Sequence, residues 1–373
     1  MEKLRLNKPK LNPCHAVISV WLVGMIALSA MPAQASTSCL KTARLAHNAC
    51  WSEVYADFFT ASGICENLTN FSDKRACIKA AQKNWRADSR DCKERRNGRR
   101  NLCFALNEDK YDPDIDPAEF DSSFTVQNLY YPLGIGDKHE YVGIDDEGEV
   151  SEHINIEVLD KTKSIQGLTC RVINDIVTEA CDEESCDVIE DTDDWYAQHN
   201  NGDTYYCGEE AKDFEYTDGD MPREAELVEI GGSFKGGRDG DKVGIIFKGN
   251  PIEGETYRQE WSLGNAEDWA TVLATAYGTG DGFDADTDDE ESLDYLVPED
   301  LAEYFCGNNN CVVTKDGNGL EPGAIERKYY APGVGVFLEV NVEDEEIVRI
   351  VACEVGADLH GYCSGEIPQP EEP

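Results

Sequence analysis

The chain has 373 residues, with 75 Asp and Glu against 33 Lys and Arg for a formal net charge of −42, and it carries 15 cysteines. A charge of this sign and size repels phosphate, which excludes nucleic acid as the main partner and favours attraction of cations. With 40% hydrophobic residues the chain is still rich enough in apolar side chains to build a folded core.

Lys3, Arg5, Lys8 and Lys10 precede an apolar run from Ala16 to Ala30 and an Ala33-Gln-Ala35 junction. This is the layout of a secretory signal peptide over residues 1–35, cleaved after Ala35. The run is about fifteen residues, short of the roughly 20 that a membrane-spanning helix needs, so no transmembrane segment is expected in the mature chain. Cys39 follows Ser-Thr-Ser, so no lipidation box sits at the junction. Loss of Cys14 leaves fourteen cysteines, an even number that reads as a disulfide framework in a secreted or periplasmic protein. There is no Cys-x-x-Cys pair for zinc, haem or redox chemistry.

Residues 36–106 are expected to form a helical hairpin. Cys39 and Cys103, Cys50 and Cys92, and Cys65 and Cys77 are mirror images about residue 71. The steps Cys39 to Cys50 and Cys92 to Cys103 are each eleven residues, about three helical turns, so each pair shares a helix face. Ala43, Ala46, Cys50 and Val54 mark the facing side of the first helix, and Cys77, Ala81, Trp85, Asp88 and Cys92 that of the second. Ser72 is the expected N-cap of the return helix. The pattern resembles the twin cysteine-helix hairpins of the CHCH class, but with Cys-x10-Cys in place of Cys-x9-Cys, and the likeness is read as convergent geometry with no function attached.

This module is basic, with thirteen Lys or Arg against seven Asp or Glu between Ser36 and Phe104. Its densest patch is Lys93 to Arg100, in which Arg95, Arg96, Arg99 and Arg100 read either as a solvated face, as an intramolecular contact with the acidic half, or as an anchor for an anionic surface. Asp112-Pro-Asp-Ile-Asp-Pro117 marks an acidic, extended linker over 107–123.

From 124 to 364 the chain reads as a predominantly antiparallel β domain: a curved sheet, open barrel or sandwich. Short β-rich segments recur near 139–144, 151–159, 167–179, 187–198, 203–208, 225–234, 242–248, 256–262, 324–330, 335–342 and 346–354, and Asn200-Asn-Gly-Asp203 is a hairpin turn. The fold class is therefore α+β. An acidic insertion lies near 280–310, and 365–373 is expected as a disordered tail. Proximity suggests Cys181 with Cys186, Cys306 with Cys311 and Cys353 with Cys363, leaving Cys170 with Cys207, although eight cysteines permit many other pairings.

Three segments, Leu129-Tyr-Tyr-Pro-Leu-Gly-Ile-Gly136, Glu190-Asp-Thr-Asp-Asp-Trp-Tyr-Ala-Gln198 with Gly208-Glu209, and Ile325-Glu-Arg-Lys-Tyr-Tyr-Ala-Pro-Gly-Val-Gly335, resemble an uncharacterised group of exported bacterial β-rich proteins. The opening Tyr-Pro-Leu-x-x-Gly is also similar to envelope proteins with a curved antiparallel sheet, such as periplasmic lipoprotein carriers. The resemblance implies an envelope or extracellular setting and supplies no catalytic residues.

Candidate chemistry is sparse. Asp284, Asp286 and Asp288 alternate as in a calcium loop, where hard oxygen ligands wrap one cation, but Asp289 stands where the turn needs Gly and Tyr295 where a bidentate Glu belongs. No nucleophile elbow, zinc helix, Walker loop or dinucleotide fingerprint is present. Trp195, Tyr196, Trp261, Tyr329 and Tyr330 are candidates to line a concave, ligand-binding face, or else to form the sheet's core. The leading expectation is a non-enzymatic envelope binding protein that holds a lipid, another hydrophobic molecule or an envelope protein. The alternatives are an acidic secreted Ca²⁺-binding protein and an extracellular hydrolase using paired carboxylates.

Overall fold

The structure, a computed structural model, describes residues 37–179, 181, 186–217, 219–280, 282–356 and 360–370. The expected signal peptide and residues 371–373 lie outside them.

Two long helices come first, α1 (Ser38–Glu66) and α2 (Phe71–Ala105). Thr37 caps α1 by accepting from Leu40 N, and Asn70 caps α2 by accepting from Ser72 N, so the cap sits two residues before the expected Ser72. Three disulfides rung the hairpin: Cys39–Cys103, Cys50–Cys92 and Cys65–Cys77, at Cα separations of 5.8, 5.8 and 5.6 Å. Ala43, Ala46, Val54 and Ala81 are buried between the helices, where small side chains let the backbones come close enough for those bridges.

Fourteen strands follow in the described residues: β1 (Lys138–Ile144), β2 (Val150–Ile165), β3 (Leu168–Glu179), β4 (Asp187–Gln198), β5 (Thr204–Glu210), β6 (Asp213–Glu215), β7 (Glu226–Glu229), β8 (Gly244–Phe247), β9 (Thr256–Arg258), β10 (Asp268–Tyr277), β11 (Cys311–Asn318), β12 (Ile325–Ala331), β13 (Gly335–Asn341) and β14 (Glu346–Glu354). A short helix, α3 (Glu299–Cys306), lies between β10 and β11. The order across the sheet is β7-β6-β4-β3-β2-β1-β14-β13-β12-β11-β10-β9, with β5 on β4 and β8 on β5. Every strand pairing is antiparallel. The first and last strands meet in the middle, so the chain builds two wings that curl toward one another without closing. At the open side Gly244 lies so near the opposite wing that a Cβ there would meet Gln259 O at 2.0 Å, which only glycine permits.

Tight turns hold the wings in register. Gln166 and Gly167 both have positive φ, 49° and 84°, as a two-residue turn between right-twisted strands requires. Four further disulfides staple the sheet: Cys170–Cys207, Cys181–Cys186, Cys306–Cys311 and Cys353–Cys363. Seven cross-links fit an oxidising compartment outside the cytoplasm.

The convex face is covered by α3 and the acidic insertion. Phe305 stacks on Phe337 at 4.7 Å, Tyr329 donates to Leu293 O at 2.8 Å, and Arg327 donates to Ser292 O at 2.6 Å. Residues 365–370 also lie on the body, where Ile367 is buried and Arg349 donates to Pro368 O at 2.8 Å; this corrects the expectation of a disordered tail for that stretch.

The hairpin is tied to the sheet at its base. Arg99 makes a bidentate pair with Glu267, Nε to Oε2 at 2.7 Å and Nη2 to Oε1 at 2.6 Å, and Arg258 Nε donates to Glu108 at 2.9 Å. Tyr111, within the expected linker, donates to Val243 O at 2.9 Å. No described helix is long and apolar enough to cross a membrane.

Candidate functional site

The concave face encloses two connected hollows of about 380 and 430 Å³, sizes typical of small-molecule sites. They share Asp175, Asp194, Tyr196, Gln259, Glu326 and Lys328 along their common wall. Period-two alternation aims the side chains: Glu190, Thr192, Asp194 and Tyr196 of β4 all face inward, as do Glu326, Lys328 and Tyr330 of β12. Two β-bulges extend the set. Trp195 pairs with Gly208 while Tyr196 pairs with Tyr206, so Tyr206 and Glu209 share the inner face despite being three residues apart. The shift between Tyr329 and Tyr330 against β13 likewise aims both Val336 and Glu339 inward.

The larger hollow is apolar for much of its wall, with Ile154, Ile156, Val158, Ile173, Val336 and Val348 alongside Tyr141 and Tyr196. His139 closes one side. Its Nε2–H donates to Val334 O at 2.9 Å, and burial pushes its pKa down to about 4, so the ring is neutral at ordinary pH.

The smaller hollow is acidic. Nine Asp or Glu side chains line it, and Lys328 is the one cation among the described residues there. Burial, and then the charges of Glu190 and Glu339, push Asp175 up to about 7. Asp194 and Glu209 both reach the phenol of Tyr206, the latter at 2.8 Å. One phenolic proton shared between two acids favours retention of a proton by the pair. Burial and mutual repulsion accordingly hold both acids well above the usual carboxylate range. Asp316 is raised by burial and accepts from Thr314 Oγ1 at 2.5 Å and Gln259 Nε2 at 2.9 Å. Burial pulls the Lys328 pKa down, but Glu339 at 3.0 Å and Glu326 at 3.6 Å outweigh it and keep the ammonium charged.

Three acids lack matching partners. Glu260 is only 8% exposed, lines the hollow, and has no side-chain hydrogen bond among the described residues; burial, and then the charges of Asp268 and Glu209, hold its pKa well above the usual carboxylate range. Asp175 Oδ1 and Asp268 Oδ1 are buried and equally unmatched. Buried polar groups of this kind are costly unless something completes them. No group of three or more His, Cys, Asp or Glu side chains is gathered for a metal ion among the described residues, because these acids are spread around the wall.

The aromatic residues singled out in the sequence divide between faces. Tyr196 and Tyr330 line the concavity. Trp195 packs on the opposite face with Lys163 Nζ 3.2 Å over its ring, and Tyr329 is buried under the insertion, because strand neighbours point to opposite sides. Trp261 lies at the hairpin base, 6.3 Å from the Tyr111 ring. Asp284, Asp286 and Asp288 are exposed, and Asp284 Oδ1 accepts from Asp286 N within a local turn. In the basic patch, Arg99 is buried on Glu267, Arg95 and Arg96 are half-buried, and Arg100 is exposed. The sequence reading missed Glu209, Glu260, Asp268, Asp316, Lys328 and Glu339. The alternation Glu326-x-Lys328-x-Tyr330 could have indicated Lys328, whereas the bulges that aim Glu209 and Glu339 carry no local signal.

No protein-family model and no curated protein matches the chain. Among solved structures it is similar to a candidate exported protein with a YmcC-like fold from Bacteroides fragilis, at 12% identity and a TM-score of 0.31, over 61% of this chain and 99% of that one. It is also similar to a candidate lipoprotein from Parabacteroides distasonis, at 8% identity and a TM-score of 0.26, again over 61% of this chain and 99% of that one. At this level of overlap, function is read from the cavity itself.

Proposed function

We propose that the protein is an exported, non-enzymatic binding protein whose curved sheet holds an amphiphilic cation. The apolar hollow takes the hydrocarbon body, and the acidic hollow takes an ammonium or guanidinium head. The observation that carries this reading is Glu260, a nearly buried acid without a side-chain hydrogen-bond partner among the described residues, held protonated by burial and lining an acidic hollow that opens directly onto an apolar one. A cation there would supply the missing donor and lower the cost of keeping neighbouring acids charged. A lipid with a phosphate head fits less well, since it would meet a wall with one ammonium and nine acids.

Native mass spectrometry of the protein recovered from its exporting host tests the assignment. An organic adduct that leaves on acidification and is identified as an amine or quaternary ammonium supports it. An acidic lipid bound at full occupancy would overturn it.

A further inference from the structure

The hairpin carries a second, unrelated surface. Along α2, Arg75, Lys79, Lys83, Arg86, Arg90 and Lys93 recur at steps of three or four, forming one stripe about 27 Å long. All six are exposed, and none is paired with a carboxylate among the described residues. The stripe lies opposite the face that carries Cys77 and Cys92, so α1 cannot cover it.

At the distal end of this stripe the hairpin exposes large apolar side chains. Ile64 is 64% exposed and Phe71 73%. Leu68, in the loop between the helices, is exposed too. The Arg75 guanidinium sits 5.9 Å from the Phe71 ring, which places a cation immediately beside the apolar tip. Lone exposed apolar residues are ordinary, but three at the end of a rod, bordered by unpaired cations, are a patch.

We infer that the hairpin tip docks onto an anionic lipid bilayer, with Ile64, Leu68 and Phe71 entering the interfacial region and Arg75, Lys79 and Lys83 meeting the headgroups. Charge complementarity selects this occupant. The hairpin is the basic part of a chain whose remainder is strongly acidic, so an anionic surface attracts this end and repels the other. The tip also stands roughly 42 Å along α2 from Arg99 at the base, about five Debye lengths at physiological salt, so the acidic body does not cancel the attraction. Apolar residues beside the cations distinguish a bilayer from a soluble polyanion, which would use the charges alone.

The test is sedimentation of the disulfide-bonded protein, as recovered from the exporting host, with vesicles of phosphatidylglycerol and phosphatidylcholine or of phosphatidylcholine alone. The expected result is binding to the anionic vesicles, release in 0.5 M salt, and at least tenfold weaker binding for both Ile64→Ser/Phe71→Ser and Arg75→Glu/Lys79→Glu/Lys83→Glu. These positions are exposed, so both variants should melt like the parent, and the salt experiment needs no variant. Equal binding to neutral vesicles would overturn the inference. So would full retention of binding by the Ile64/Phe71 variant, which would assign the stripe to a soluble polyanion.

Discussion

Asp194 and Glu209 are direct partners across β4 and β5, two carboxyl groups set opposite one another with the phenol of Tyr206 bonded to both. Like charges at such positions oppose strand pairing, so the arrangement depends on a retained proton or on a cation from outside.

That dependence has a sign. Asp175 has its folded-state pKa raised to about 7, and Asp194, Glu209 and Asp268 are shifted the same way. Between the unfolded value near 4 and about 7 the folded state holds more protons than the unfolded one. Their contribution is therefore fully present below about pH 4 and is lost as pH rises through about 7. The unliganded protein should lose more melting temperature between pH 5 and pH 8 than Asp194→Asn does. Parallel profiles for the two proteins would contradict this coupling.

Lys328 faces Glu339 across β12 and β13, with Glu326 beside it. Lys328→Met should destabilise the fold by about 3 kcal/mol, since it strands buried acids. Adding Glu339→Gln should recover part of that loss, giving a coupling of about 1–3 kcal/mol in a double-mutant denaturation cycle. Strictly additive effects would mean that the two side chains do not act as a pair.

At the other end of the molecule, Arg99 and Glu267 are both buried and bidentate. Arg99→Met leaves Glu267 buried without its guanidinium partner, and should cost about 3–5 kcal/mol. Hydrogen exchange should locate the loosening at the hairpin base, near Gly98, which a side chain would drive into Pro322.

Cys50–Cys92 is the middle rung of the hairpin. Replacing both cysteines by serine should cost about 2–5 kcal/mol, because little apolar area is buried between the helices to compensate. Circular dichroism should show early loss of helix while the β signal persists.

The sequence revealed much of the architecture because its strongest regularities were one-dimensional. The cysteine mirror about residue 71 needs only counting, and Asn200-Asn-Gly-Asp203 is local turn chemistry. Asp268–Tyr277 was not read as a strand, since its alanines dilute the β-forming pattern and the pairing that fixes it comes from β11. The cavity was less legible still. Its acids come from strands distant in the chain, and Glu209 and Glu339 face inward only because bulges break the alternation. Among many carboxylates, those that matter are set apart by burial, which composition does not encode.

The most direct measurement of the central claim is calorimetric titration with decylammonium and decyl sulfate, equal in chain length and opposite in charge, both below micelle formation. The account predicts saturable one-to-one binding of decylammonium, weakened about tenfold or more by Glu260→Gln, with no comparable binding of decyl sulfate. Equal or tighter binding of decyl sulfate, or decylammonium binding indifferent to Glu260, would contradict it.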